Sequence, residues 1–194
     1  MKRRTFLCAA ATGFPVLARA QSSNVPEAIR NLRPMTGGIQ PITGEERRAR
    51  IEKARKLMQE NKIGAVVMES GSSMFYFTGI RGPAGDRTFA LVLAAVGEPV
   101  WIVPAADETR VSGDVRGWAE TEGPYKKLAQ ALKDRGAATG RVGIEERTRF
   151  AVFDGIRKEA PALEFTSADP VTAGCRVIKS PAEIALMQRA NDIT

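Results

Sequence analysis

Tyr76, Phe77, Arg81 and Arg87 stand close together in a stretch rich in Gly and Pro. Rings and guanidinium groups on such a loop can seat a ligand, although rings more often fill a core and loop arginines more often face water. They are the candidate binding residues because other routes to chemistry are closed. The sequence contains no His, so Ser-His and Cys-His nucleophilic systems and His-ligated metals cannot be completed within it. Asp107-Glu108 and Glu145-Glu146 are adjacent carboxylates that could in principle hold a cation. Neighbouring side chains diverge on a strand or helix, which sends one of each pair to solvent, so no metal site is expected here. Ser72 and Ser73 lie outside any Gly-x-Ser-x-Gly elbow and are expected to cap the turn that follows. Gly79, Gly82 and Gly85 precede no Gly-Lys-Ser/Thr and read as loop glycines.

The elements that must position these residues begin after a leader. Lys2, Arg3 and Arg4 form a basic start, an apolar run follows to Leu17, and Ala18-Arg19-Ala20 is a small-residue cleavage site, with cleavage expected after Ala20. The run Arg3-Arg4-Thr5-Phe6-Leu7 resembles the signal read by the bacterial Tat exporter, which implies a periplasmic or extracellular location. Removing the leader lowers the formal charge from +7 to about +3. The remaining basic residues are scattered and not interleaved with aromatics, so nucleic acid is not an expected partner. No later segment is long and apolar enough for a membrane helix, so no membrane contact is expected after cleavage. Cys8 leaves with the leader, and Cys175 reads as a small buried hydrophobe without a disulfide partner.

Residues 21–42 carry Pro26, Pro34, Gly37, Gly38 and Pro41 and read as an extended arm. The folded domain is placed over 43–178. Thr43 and Glu46 form a capping box for a helix to about Lys62, and Ile63 to Met68 is an apolar run of the kind buried on both faces of a sheet. Met74 to Gly79 reads as one helical turn or a loop. Thr88–Ala95 and Pro99–Val103 flank a short connection, which fits an antiparallel hairpin and excludes parallel pairing. Asp107–Gly123 is polar and irregular, with room for one short helix. Pro124–Arg135 is a helix with Leu128, Ala131 and Leu132 inward, Arg141–Glu145 a strand, Phe150–Glu159 a helix with Phe153 and Ile156 inward, and Leu163–Thr166 a last strand. Val171–Ile178 reads as a connection. The alternation predicts a three-layer α/β domain whose mixed sheet is covered by helices on both faces.

Residues 179–194 open one more helix. Ser180 is an N-cap, Pro181 suits the first helical position and Glu183 completes a capping box, while Ile184, Met187 and Ala190 form an apolar stripe in need of a partner. The chain therefore reads as the front part of a longer protein.

Several segments together resemble the N-terminal domain of the pita-bread metallopeptidases, the family of aminopeptidase P, prolidase and creatinase. The resemblance runs from about Arg47 to Thr194 through Phe75-Tyr76-Phe77-Thr78-Gly79, Val100-Trp101-Ile102-Val103-Pro104, Val142-Gly143-Ile144-Glu145 and Arg176-Val-Ile-Lys-Ser-Pro-Ala-Glu-Ile. It implies a following catalytic domain whose two Asp, one His and two Glu hold two divalent metals (Mn, Co or Zn), none of them present here. It also implies that this domain builds a homo-oligomer, most simply a dimer, and lends an aromatic and an arginine to a neighbouring subunit's site. Tyr76, Phe77, Arg81 and Arg87 occupy the corresponding region. The activity implied is that of an Xaa-Pro-type metallopeptidase, with this chain inactive by itself. Creatinase-like cleavage of a small-molecule C–N bond, and a stand-alone periplasmic binding or interaction module, are the alternatives.

Overall fold

The computed structural model describes residues 26–193. The leader, with Arg3, Arg4, Ala18 and Ala20, lies outside the described residues. As far as Gly37 the described chain forms one helical turn, α1 (Glu27–Arg30), in an irregular segment with Leu32 and Met35 exposed.

A compact α/β unit occupies the chain from Gly38 onward. Its first helix, α2 (Gly44–Glu60), starts at Thr43, whose hydroxyl accepts from the Glu46 amide at 3.1 Å. Only this half of the expected capping box forms. The Glu46 carboxylate turns instead to Arg50, one helical turn on, at 3.0 Å. Strand β1 (Ile63–Glu69) follows, then α3 (Ser72–Thr78), which is a true helix and not a single turn. Gly79 ends it in the left-handed region (φ 75°), and a Cβ there would lie 2.5 Å from the Arg47 guanidinium carbon. The left-handed backbone is what favours glycine, since the end of the flexible Arg47 side chain could shift to admit a Cβ.

Strands β2 (Ala90–Ala94) and β3 (Val100–Pro104) form the predicted antiparallel hairpin, with Leu91 opposite Trp101. The next region corrects the sequence reading: after a 3-10 helix (Ala105–Arg110) comes strand β4 (Asp114–Trp118), parallel to β3. Its alternation is hidden because it is an outer strand, half-buried except at Trp118. Helix α4 (Tyr125–Asp134), strand β5 (Gly140–Ile144), helix α5 (Phe150–Glu159) and strand β6 (Leu163–Ser167) lie where the sequence places them. The segment read as a connection is instead helix α6 (Asp169–Arg176), which buries Val171, Thr172 and Cys175. Helix α7 (Pro181–Ile193) closes the described chain.

The six strands run in the order β4-β3-β2-β1-β5-β6. Pairing is antiparallel for β1–β2 and β2–β3 and parallel for β3–β4, β1–β5 and β5–β6, so the sheet is mixed as expected. Strand β1 is central, and its period of two splits the core. Ala65 and Val67 pack with Leu128, Leu132, Val152 and Ile156 of α4 and α5, whereas Val66 and Met68 pack with Ala54, Met58, Phe77 and Cys175 of α2, α3 and α6. Among the described residues no helix is long and apolar enough to cross a membrane.

Candidate functional site

Helix α3 leaves the carboxyl end of β1, so its last turn and the loop after it stand at one end of the sheet, a common location of ligand sites in α/β folds. Phe77 faces the sheet and is 1 % exposed, giving it a packing role and no surface for a ligand. Tyr76 points to the side, with its ring 5.0 Å from that of Phe77 in an edge-on contact and its hydroxyl donating to the Cys175 carbonyl at 3.1 Å. The Arg50 guanidinium lies 4.0 Å over the Tyr76 ring. Burial, followed by the charge of Glu183, raises the Tyr76 pKa, and the Arg50 charge opposes this.

Around Tyr76 a cleft of about 530 Å³ opens between α2, α3, α6 and α7, walled by Phe75, Tyr76, Val177 and Met187 and edged by Arg176 and Lys179. Arg50 forms its floor. The carboxylates of Glu46 and Glu183 flank this guanidinium at 3.0 and 3.3 Å.

Arg81 and Arg87 lie outside that cleft. Arg81 is exposed and stacks on the Phe75 ring at 4.1 Å, while Arg87 pairs with Glu120 at 2.8 Å on an open surface. So exposed a pair contributes little to stability and is easily exchanged for another partner. Arg87 also borders a smaller cleft of about 130 Å³ with Glu69, Arg147 and Arg149. There Glu69, at the end of β1, accepts from Arg149 Nη2 at 2.6 Å, from its Nε at 3.1 Å and from its amide at 2.9 Å. Arg149 also donates to the Asp86 carbonyl, which pins the far end of the loop. These bonds to Glu69 raise the Arg149 pKa and hold the guanidinium in its charged form. The four residues singled out in the sequence are thus distributed over a cleft wall, the core and two exposed positions.

The hydroxyls of Ser72 and Ser73 do not cap α3, which starts at Gly71 without a side-chain cap. Ser73 donates to Glu145 Oε1 at 3.0 Å, and Ser72 accepts from Arg176 at 3.4 Å. Of the carboxylate pairs, Glu145 is buried beside exposed Glu146, and Asp107 is bound to Arg110 at 2.6 Å beside exposed Glu108. No group of three or more metal-ligating side chains occurs among the described residues, and with no His in the sequence they do not fit a two-metal centre. Sequence reasoning missed Arg50 and Arg149. The signal available for Arg50 was its place four residues after Glu46; Arg149 and Glu69 carried none, being 80 positions apart.

The geometry can be set beside known proteins. Residues 50–178 match the creatinase/prolidase N-terminal domain. The chain belongs to that family. It is 30 % identical over 173 residues to the ectoine hydrolase of Halomonas elongata, covering 79 % of this chain and 43 % of that protein. It is 25 % identical over 149 residues to the Xaa-Pro dipeptidase of Lactobacillus delbrueckii subsp. lactis, covering 73 % of this chain and 40 % of that protein. A dipeptidase structure from Pyrococcus horikoshii superposes with a TM-score of 0.65 at 28 % identity, over 71 % of this chain and 39 % of that one. The separate N-terminal domain of a Streptococcus pyogenes X-Pro dipeptidase shares the fold, with a TM-score of 0.57 at 20 % identity over 65 % of this chain and 98 % of that one. The creatinase/prolidase-type chain described here therefore spans about two fifths of the length of these curated relatives.

Proposed function

We propose that this chain is the N-terminal, non-catalytic part of an exported Xaa-Pro-type metallopeptidase, pairing subunits as a dimer and shaping the approach of a peptide to a metal centre built by other residues. The observation that carries this reading is the match of residues 50–178 to a domain that Xaa-Pro dipeptidases also possess. Export is supported by the Arg3-Arg4 leader, with Ala18 and Ala20 at its cleavage site. Under this reading the two divalent metals (Mn, Co or Zn) are held outside this sequence. These residues contribute recognition: Arg81 and Arg87 can offer their guanidinium forks to a substrate carboxylate, and the exposed edge of Tyr76 can border an alkyl group or a proline ring. Phe77 supports that surface from the core.

The test uses the whole open reading frame that contains these residues, stripped of metal and reloaded with Mn, Co or Zn, and assayed on Xaa-Pro dipeptides. Arg81→Ala or Arg87→Ala is expected to lower kcat/KM about tenfold or more with unchanged thermal stability. Unchanged kinetics in both would remove the loop from the site, and absence of any peptidase activity would remove the reading. Similarity to an ectoine hydrolase favours a second reading, hydrolysis of a C–N bond in a small non-peptide molecule. Ectoine assayed with the same preparation separates the two.

A further inference from the structure

We propose that Arg50 is the positioning residue that fixes the direction in which α7 leaves the α/β unit, by holding the first turn of α7 and the end of α3 with one guanidinium. Helix α7 buries none of its side chains, and Ile184 and Met187 remain 56 % and 55 % exposed. Apolar packing is limited to half-buried Leu186 at the cleft, so the orientation rests mainly on polar contacts at its start.

Those contacts converge on Arg50, only 8 % exposed although charged. Its Nη1 donates to the Tyr76 carbonyl at 2.8 Å, and its Nη2 donates to Glu46 Oε1 at 3.0 Å and lies 3.3 Å from Glu183 Oε1. Glu183 is the capping-box residue of α7, and its other oxygen accepts from the Ser180 amide at 2.9 Å. Ser180 in turn donates its hydroxyl to Glu46 Oε1 at 2.7 Å. The cap of α7 and the first turn of α2 are thereby joined through two carboxylates that repel each other unless a cation stands between them. A planar guanidinium can serve both at once and still stack on Tyr76. Seating of α7 and placement of the Tyr76 ring are thus set by the same group. Under the function proposed above, this grip aims α7 relative to the Tyr76 cleft, but the geometry stands without that reading.

The test is a spin-label distance measurement on the full chain in a Cys8→Ser background, with labels at Lys56→Cys on α2 and Ala190→Cys on α7, both exposed positions. Cys175 is buried and stays unlabelled. With Arg50 present a single narrow distance distribution is expected. Arg50→Met should broaden it about twofold or more, while amides of β1, β2 and β5 keep their hydrogen-exchange protection. Glu183→Gln retains the cap geometry but removes one charge, and should broaden the distribution to a smaller extent. An unchanged distribution in Arg50→Met with the sheet protected overturns the proposal. If Arg50→Met loses sheet protection, Glu183→Gln decides, and an unchanged distribution there overturns it equally. No peptidase assay enters, so an inactive parent protein leaves this result untouched.

Discussion

At the end of β5 the Glu145 carboxylate is 6 % exposed and accepts from the Ser73 hydroxyl at 3.0 Å and from the Arg147 amide at 2.9 Å. A buried acceptor that loses one donor bears much of its desolvation cost. Ser73→Ala should therefore lower the unfolding free energy by about 1–2 kcal/mol, read from urea denaturation; an unchanged midpoint would mean that the hydroxyl contributes nothing there. Cys175 offers a second check. Burial pushes its thiol pKa up, with Lys53 acting partly against it, so the reactive thiolate is scarce at neutral pH. The Cys175 peptide should resist iodoacetamide in the native protein at about pH 8 and label once unfolded, as followed by mass spectrometry. Burial of Cys175 was legible because a lone cysteine beyond the leader, in a sequence without His to act as a base, most often serves as a small buried hydrophobe. The Ser73–Glu145 bond was not, because its partners are 72 positions apart and each has an ordinary local explanation.

Strand β4 illustrates how an element escapes periodicity. It carries Asp-Val-Arg-Gly-Trp at the outside of the sheet, and charges hold it in place: Arg116 bridges Asp114 and Asp134, and Arg135 of the α4 end binds Asp114 at 2.6 Å. The hydrogen bond from Arg116, aided by the charge of Arg135, holds the Asp114 carboxyl below its ordinary value of 3.8, with burial opposing. A carboxyl depressed in the folded state stabilises fully above its unfolded value and loses that contribution as pH falls through the folded one. Thermal unfolding should show stability declining from about pH 5 to pH 2, and Asp114→Asn should flatten that decline. An equal slope in the variant would assign the acid sensitivity to other groups. A second element-scale constraint is the crossing of α4 and α5, where a Cβ on Gly155 would lie 2.5 Å from the Tyr125 ring. Gly155→Ala should cost about 1–3 kcal/mol by overpacking, and Tyr125→Ala in the same chain should recover part of it in a double-mutant cycle. Helices α4 and α5 were readable from their apolar stripes, whereas α6 is short and contains Thr172 and Gly174, the latter allowing Leu57 to approach within 3.2 Å of where a Cβ would stand.

For the molecule from Gly38 onward, both helical layers share one sheet and one central strand, so urea unfolding should follow a single transition by circular dichroism and tryptophan fluorescence together. Separated transitions would show that the β3–β4 side melts independently of the β5–β6 side. The mixed three-layer architecture was legible because an uninterrupted apolar strand, a short hairpin connection and capped helices each exclude alternatives. The candidate site was less so, since Tyr76 alone of the expected residues borders the cleft floored by Arg50, and its companions Arg50 and Glu183 reach it from distant segments. Finally, β4 and β6 leave the sheet with two outer margins. One displays the Asp114–Arg116 pair and the other Glu164, bound to Arg141 at 3.3 Å. Charged side chains on both outer strands disfavour pairing with an incoming strand, a safeguard against aggregation by strand addition.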